Sequence, residues 1–459
     1  MLIKKNNIYK IFIVFLLSHL IIWTLVPSIS NNNLPLDVIE AIAWSDGWPL
    51  GWDKHPPLSS WFPGIFFEIF GNQDWAYYFL SQLFVVISFF VVWQFSLDFF
   101  KDKLHSLISV LLLEGIYFYN FTTPEFNVNI CQLPFWSLSV YYCWKGIKNN
   151  DSVSWILFGL FGALGILSKY LFIYLLVAID IYFIYLIIKK KFDPKCLVSL
   201  IAFLLILTPH LIWLIDNDFI TINYALSRTD SNDLGYIKYL YYPFIFLLKQ
   251  IGILLPLLII FFILIPKLKK KINLRDNKLL FLLTINILPL TLMFLTSFFM
   301  GVKIRTMWMT PFYLFTGVLL VYIFKDQINL KKLKYSFSVF LFFFLFSPFL
   351  YFYISVTETS KRTDYPGKEN AKIIQIKWNE NFSNKIESVV GDEWYAGNLS
   401  YHLQSNPKWY SYTSAFIDRS AEEFIEQIGK NGFIIVNGEC SYGISFIIDG
   451  SKICMSGNK

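Results

Sequence analysis

Charge is scarce in this chain. Only 15% of its 459 residues are Asp, Glu, Lys or Arg, against 56% hydrophobic and 20% aromatic. The mean hydropathy is +0.51, and together these values exclude a water-soluble globular protein. Cysteine and histidine are also few, five of each. No Cys-x-x-Cys, no zinc-type Cys/His spacing and no His-Glu-x-x-His occurs, so the sequence offers no frame for a structural or catalytic zinc ion. No convincing internal repeat is present. No small-residue cleavage site follows the first apolar run, which is therefore read as a retained helix. The net charge of +7 would suggest nucleic acid in a soluble domain. Here the lysines cluster in short loops, the pattern that membrane topology produces.

What the chain has in abundance is apolar runs long enough to cross a bilayer of about 30 Å. They fall near 11–28, 76–98, 104–121, 128–145, 153–168, 170–188, 197–215, 243–265, 279–299, 306–324 and 335–355. The expected fold class is thus an α-helical polytopic membrane protein with about eleven spans. Basic loops lie at the N-terminus and at 101–103, 145–148, 189–195, 266–275 and 325–334. Placing them all in the cytoplasm puts the N-terminus inside and the C-terminus outside. The opposite face receives 29–75, 121–129, Lys169, 216–242, 301–305 and everything after about Val356. These segments are acidic, aromatic and polar, with isolated cations. Chemistry on that face has no nucleotide sugar to draw on, so it needs an activated substrate that crosses on a lipid.

After Val356 the apolar stretches shorten to strand length at 387–392, 408–412, 432–438 and 444–450, with helix-like segments at 395–405 and 420–432. The expected domains are therefore a membrane region, 1–355, and a small α/β domain outside the membrane, 356–459. Cys131 and Cys143 lie in a span and Cys196 near a cytoplasmic end, while Cys440 and Cys454 lie in the tail. A bond between the last two would close a loop of about 15 residues, worth roughly 3 kcal/mol. Two free thiols remain equally open.

The stretch Leu34–Trp61 stands out. Between two apolar runs it carries Asp37, Glu40, Asp46, Asp53, Lys54 and His55, interleaved with Trp44, Trp48, Trp52 and Trp61. Asp37 and Glu40, three apart, share a face if the segment is helical. Pro56 and Pro57 cannot continue a helix and hold Lys54 and His55 at a turn. This segment is the expected active-site loop.

The acidic pair after the first span, the Trp/Gly-rich stretch and Lys54-His55-Pro56-Pro57-Leu58 with Trp61 resemble the first external loop of the protein mannosyltransferase-like family of GT-C glycosyltransferases. The likeness continues through Pro124, Asn127 and Asn129, Gly165 to Tyr170, Thr208-Pro209-His210 to Trp213, Asn217-Asp218-Phe219, and Tyr224 to Arg228. It covers about residues 10–325. Many members have adjacent Asp-Glu where this chain has Asp37-Val38-Ile39-Glu40. The resemblance implies transfer of a sugar from a polyprenyl phosphate carrier to an acceptor, preferably lipid A or lipopolysaccharide. It implies a bacterial inner membrane, with the site and the C-terminal domain facing the periplasm. It implies no cofactor beyond the lipid-linked donor; a divalent metal is allowed but not indicated.

Such a reaction expels a phosphate anion, so it needs cations where that charge develops. Lys54, Lys169, Arg228, Lys303 and Arg305 are the candidates on the external face, and Arg grips phosphate oxygens bidentately. Asp37, with Glu40 beside it, is the expected catalytic carboxylate for a hydroxyl acceptor. His55, Asn127 and Asn129 are expected at the substrate. Plainer roles compete for each: an interfacial belt for the tryptophans, a solvated helix start for Asp37 and Glu40, and a surface cation for Lys54. Structural hydrogen bonding competes for His55 and His210, a charged turn for Arg305, and helix capping for Asn127 and Asn129. Protein mannosylation, a polysaccharide polymerase or ligase, and a lipid-linked sugar transporter remain alternatives. The transporter is disfavoured because polar groups gather in the loops of one face, not near the bilayer midplane.

Overall fold

The computed structural model describes residues 7–228, 235–265, 273–411, 432–438, 440 and 443–459. Among them, seven helices are long and apolar enough to cross a membrane: Ile8–Ser30, Asp74–Ser96, Tyr170–Ile188, Pro194–Asp216, Gly235–Leu264, Asn277–Met300 and Leu330–Thr357. The chain is a multi-pass membrane protein. The other expected spans are shortened or broken. Residues 104–121 start as the helix Lys103–Leu111 and tighten into 3₁₀ turns, Leu112–Gly115 and Tyr117–Tyr119. Residues 128–145 form Val128–Cys131 and Leu133–Asn149, with a Pro at the start of the second helix. Ser152–Ser168 has 17 residues, about 25 Å of helix. Residues 306–324 form a 3₁₀ helix with Pro311 inside it, then Thr316–Gln327, with a bend of 51° between them. A Cβ on Gly317 would lie 2.0 Å from the Ser109 carbonyl oxygen, so only glycine lets those two helices approach backbone to backbone.

The described chain divides into two compact units. The first comprises Met1–Val26, Leu50–Leu58 and Ser81–Tyr353; the second comprises Pro27–Pro49, Ser59–Leu80 and Ile354–Lys459. The grouping differs from a cut at residue 355, because most of the 29–75 segment belongs with the tail.

Within the first unit the basic loops gather at one end. Asp98 pairs with Lys148 (2.8 Å) and Lys145 (3.1 Å), the Asp98 carbonyl accepts from Lys278 (2.5 Å), and Lys195 reaches the Asn150 carbonyl (3.4 Å). Part of the expected basic loop 266–275 lies outside the described residues. Deep in the same unit, His19 Nδ1 lies 2.6 Å from Glu114 Oε1, and both side chains are fully buried. Asn120 donates to the Glu114 carbonyl (2.9 Å), and Ser347 donates to Asn120 Oδ1 (2.9 Å).

The second unit is built on a five-stranded sheet in the order β2-β1-β3-β5-β4. The strands are β1 (Ser388–Val390), β2 (Lys408–Tyr410), β3 (Phe433–Val436), β4 (Ile444–Ile448) and β5 (Ser451–Ser456). β1 runs parallel to β2 and β3, and β5 is antiparallel to β3 and β4. Four strands fall where short apolar runs predict them. β5 escapes that reading because its sequence, SKICMS, is polar at its ends. A helix over Gly367–Asn381 was also not expected. It is too polar for an apolar-run search, yet it buries Ala371, Ile374 and Trp378 at helical spacing. The expected helix at 420–432 lies outside the described residues. Cys440 and Cys454 are disulfide-bonded with Cα atoms 5.5 Å apart, while Cys131, Cys143 and Cys196 are buried thiols.

The 29–75 segment, expected as a loop, is largely helical in the second unit. Its helices are Leu36–Ala43 and Leu58–Phe70. Asn33 ties the first of these to the tail. Its amide donates to Asn398 Oδ1 (2.8 Å), its oxygen accepts from His402 Nε2 (2.8 Å), and its backbone N–H donates to the Thr363 carbonyl (2.9 Å). Asp74 accepts from Tyr401 and pairs with Lys368, both at 2.8 Å. Gly397 packs against Ile39, where a Cβ would come within 3.0 Å.

Candidate active site

In the first unit, the segment Leu50–Leu58 is fixed by the long helix Val198–Asp216 and the short helix Ile220–Ser227. His210 Nδ1 donates to the Leu50 carbonyl at 2.6 Å. A carbonyl can only accept, so Nε2 carries the lone pair and takes the Tyr170 hydroxyl at 2.7 Å. Trp213 stacks on His210 with 15° between the planes. Its ring also occupies the space where Gly51 would carry a side chain, 2.3 Å from an ideal Cβ. Thr221 donates to the Trp52 carbonyl at 2.6 Å. The turn closes on itself where Trp52 N–H donates to the His55 carbonyl at 3.0 Å, and the two prolines end it. Residues more than 150 positions downstream thus set the orientation of Lys54 and His55.

Lys169 enters from a break between helices. Ser168 ends one helix, Tyr170 begins the next, and Lys169 between them is extended, with φ −165°. Its side chain is only 8% exposed. The ammonium donates to Asn129 Oδ1 at 2.5 Å and lies 5.3 Å from the centre of the Trp308 ring. Arg228 is exposed at the end of the helix Ile220–Ser227, with its guanidinium 5.7 Å from the centre of the Tyr224 ring. The edge of Tyr224 meets His55, with centroids 6.5 Å apart.

These groups share one electrostatic environment. Burial, then the charges of Lys169, Lys54 and Arg228, push the His55 imidazole down to about 3. It is therefore neutral at physiological pH, a hydrogen-bonding group set among three cations. Such an arrangement suits an anion with several oxygens, for which the lysines supply point charges and Arg228 a planar fork.

The other expected residues have other settings. Asn127 Oδ1 accepts from the backbone N–H groups of Asn129 (2.9 Å) and Ile130 (3.3 Å), so it caps Val128–Cys131. Asn129 instead presents its side-chain oxygen to Lys169. Arg305 is exposed at the start of the 3₁₀ helix Thr306–Tyr313, and Lys303 is exposed two residues before it. Asp37 and Glu40 belong to the second unit, on Leu36–Ala43. Asp37 lies in the first turn, where a carboxylate complements the helix dipole. Both are half-buried, while Val38, Ile39, Ala41, Ile42 and Ala43 form the buried side.

Tyr170 and Tyr224 entered the sequence reading only as part of the family likeness, and several contributors were not singled out at all: Trp308 and Thr221 around the cluster, and Asn33, Asn398 and His402 in the second unit. Single aromatic and amide residues in so aromatic a chain carry no local mark. His19 had one, as an ionisable residue inside an apolar span. Among the described residues, no three His, Cys, Asp or Glu side chains converge to hold a metal ion.

Residues 54–213 match the family described as dolichyl-phosphate-mannose-protein mannosyltransferase. Over 98% of this chain and 99% of the other, the fold matches the crystal structure of ArnT from Cupriavidus metallidurans bound to undecaprenyl phosphate, with a TM-score of 0.64 and 12% identity. The chain therefore has the fold of ArnT, and its residues 54–213 resemble that mannosyltransferase family. The apo structure of the same ArnT gives a TM-score of 0.63 at 11% identity, over 99% of each chain. No curated protein matches the sequence. The family match begins at Lys54 and takes in Asn129, Lys169 and His210. The cation cluster therefore lies largely inside the matched region, and Asp37 and Arg228 lie outside it.

Proposed function

We propose that the chain transfers one sugar from a polyprenyl phosphate carrier to an acceptor outside the cytoplasm. The observation that carries this reading is the convergence of Lys54, Lys169 and Arg228 on the neutral His55, in a fold whose solved relative is described as bound to undecaprenyl phosphate. In the reaction, the bond between the anomeric carbon and the phosphate oxygen breaks and its electron pair stays on the phosphate. The acceptor oxygen forms the new bond to that carbon. Fixed cations in a partly buried site stabilise the departing phosphate as its charge grows. A hydroxyl acceptor must also lose its proton, and Asp37 is the carboxylate proposed to take it, with Glu40 as its neighbour. A phosphate acceptor, as on lipid A, needs little base, and Asp37 would then orient the acceptor. Lipid A or lipopolysaccharide is the preferred acceptor. The lysine-rich end of the first unit, with Lys145, Lys148, Lys195 and Lys278, supports a cytoplasmic assignment of that end, and the proposed location of the cluster is the periplasmic side of an inner membrane.

The test is transfer of labelled sugar from polyprenyl phosphate donors in reconstituted membranes, comparing wild type with Asp37→Asn at matched abundance. Loss of transfer with donor binding intact supports Asp37 in the chemistry. Full activity of the variant removes Asp37 as the base. No transfer by wild type, across several sugars and acceptors, rejects the reading.

A further inference from the structure

The sheet of the second unit has its own place for a ligand. The chain leaves β1 through the helix Tyr395–His402 to β2 on one side, while β3 lies on the other side of β1. Strand order therefore reverses at β1, and the carboxyl ends of β1 and β3 flank a topological switch point, where parallel sheets take their ligands. The residues there are distinctive. Trp394 and Tyr395 follow β1. Tyr365 packs on both, with ring centroids at 5.4 Å and 5.9 Å. Arg362 lies 5.9 Å from the centre of the Trp394 ring. Asp449, in the β4–β5 turn at the same edge, is exposed. Burial, and then the charges of Asp449 and Asp392, raise the Tyr365 phenol, so these carboxylates lie near the rings. Tyr395 is 36% exposed, and Arg362 is also on the surface.

We infer that this edge binds a sugar ring of the acceptor, separate from the cation cluster of the first unit. The inference rests on the glycosyl-transfer reading for its acceptor. Its chemistry comes from this edge alone. A lipid chain would leave Arg362 and Asp449 desolvated against hydrocarbon. A phosphate would meet two carboxylates, and a cationic ligand would meet Arg362. A pyranose fits all three features, with its C–H face on the exposed Tyr395 ring and its hydroxyls towards guanidinium and carboxylate.

The experiment is saturation-transfer NMR on the full-length protein in nanodiscs, with a panel of methyl hexopyranosides and an N-acetylglucosamine disaccharide as probes. Wild type should saturate at least one probe. Tyr395→Ala and Arg362→Ala should each weaken its affinity about tenfold. Tyr395→Phe, which keeps the ring, should bind like wild type. Lys169→Met should retain probe binding while losing transfer. Saturation of no probe by wild type, or affinity unchanged in Tyr395→Ala, overturns the inference. Probe binding that depends on Tyr395, in a protein that transfers no sugar, would sustain this site and remove the donor reading instead.

Discussion

Lys169→Met isolates the proposed phosphate contact. Methionine has about the volume of lysine and no charge, so the shape of the pocket changes little. Lys169 is 8% exposed and held by Asn129 and Trp308, so its charge acts through protein more than through water. For unit charges about 4 Å apart, an effective dielectric of about 20 gives about 4 kcal/mol, against about 1 kcal/mol in bulk water. If the larger value acts on the departing phosphate, transfer falls about a thousandfold. Stability should move less. Asn129 loses a hydrogen-bond partner, at about 1–3 kcal/mol, while repulsion from Lys54 and Arg228 is relieved. The assay is single-turnover transfer in nanodiscs, with donor affinity and thermal unfolding measured on the same preparation. A folded variant that transfers within about threefold of wild type would refute the electrostatic argument, since the bulk-water value alone predicts a larger loss.

Gly51→Ala drives a methyl group into the Trp213 ring. It should cost about 1–3 kcal/mol in thermal unfolding and lower transfer by displacing Lys54 and His55, and Trp213→Leu in the same chain should restore part of both. Burial and the neighbouring cations push the folded His55 imidazole down to about 3, against 6.5 for the solvent-exposed imidazole of an unfolded chain. The unfolded state alone therefore binds a proton as pH falls from about 6.5 towards 3, and stability is lost across that window. His55→Gln should flatten this part of the stability–pH curve; an unchanged curve would show that the ring is not shielded as described. Replacing Cys440 and Cys454 by serine opens a loop with a sequence separation of 14. It should lower the unfolding free energy of the second unit by roughly 3 kcal/mol, read by hydrogen exchange in β3 and β5.

How much was legible without coordinates differs from residue to residue. Asp37 and Glu40 were expected to share a face only if their segment were helical; that segment, expected as a loop, holds two helices, and one of them carries both residues. The short runs marked four strands because a buried strand is locally apolar. β5 and the helix Gly367–Asn381 were missed because their stability comes from partners and not from a continuous apolar sequence. Asn127 was open between capping and substrate. The geometry of its side-chain oxygen, directed at two backbone N–H groups, answers a question that sequence could only pose.

The sequence by itself determined that this protein crosses a membrane many times, that its lysines gather in alternate loops, and that a turn ending in two prolines presents Lys54 and His55. Those properties follow from composition, periodicity and the stereochemistry of proline, all of which act over a few neighbouring residues. Only the tertiary structure decided that His210, Trp213 and Thr221 hold that turn, that Asn129 positions Lys169, and that Asn33 joins Asn398 and His402. These are hydrogen bonds and packing contacts between residues 40 to 369 positions apart. No local pattern encodes such partners, because each exists only once the rest of the chain has brought the two ends together.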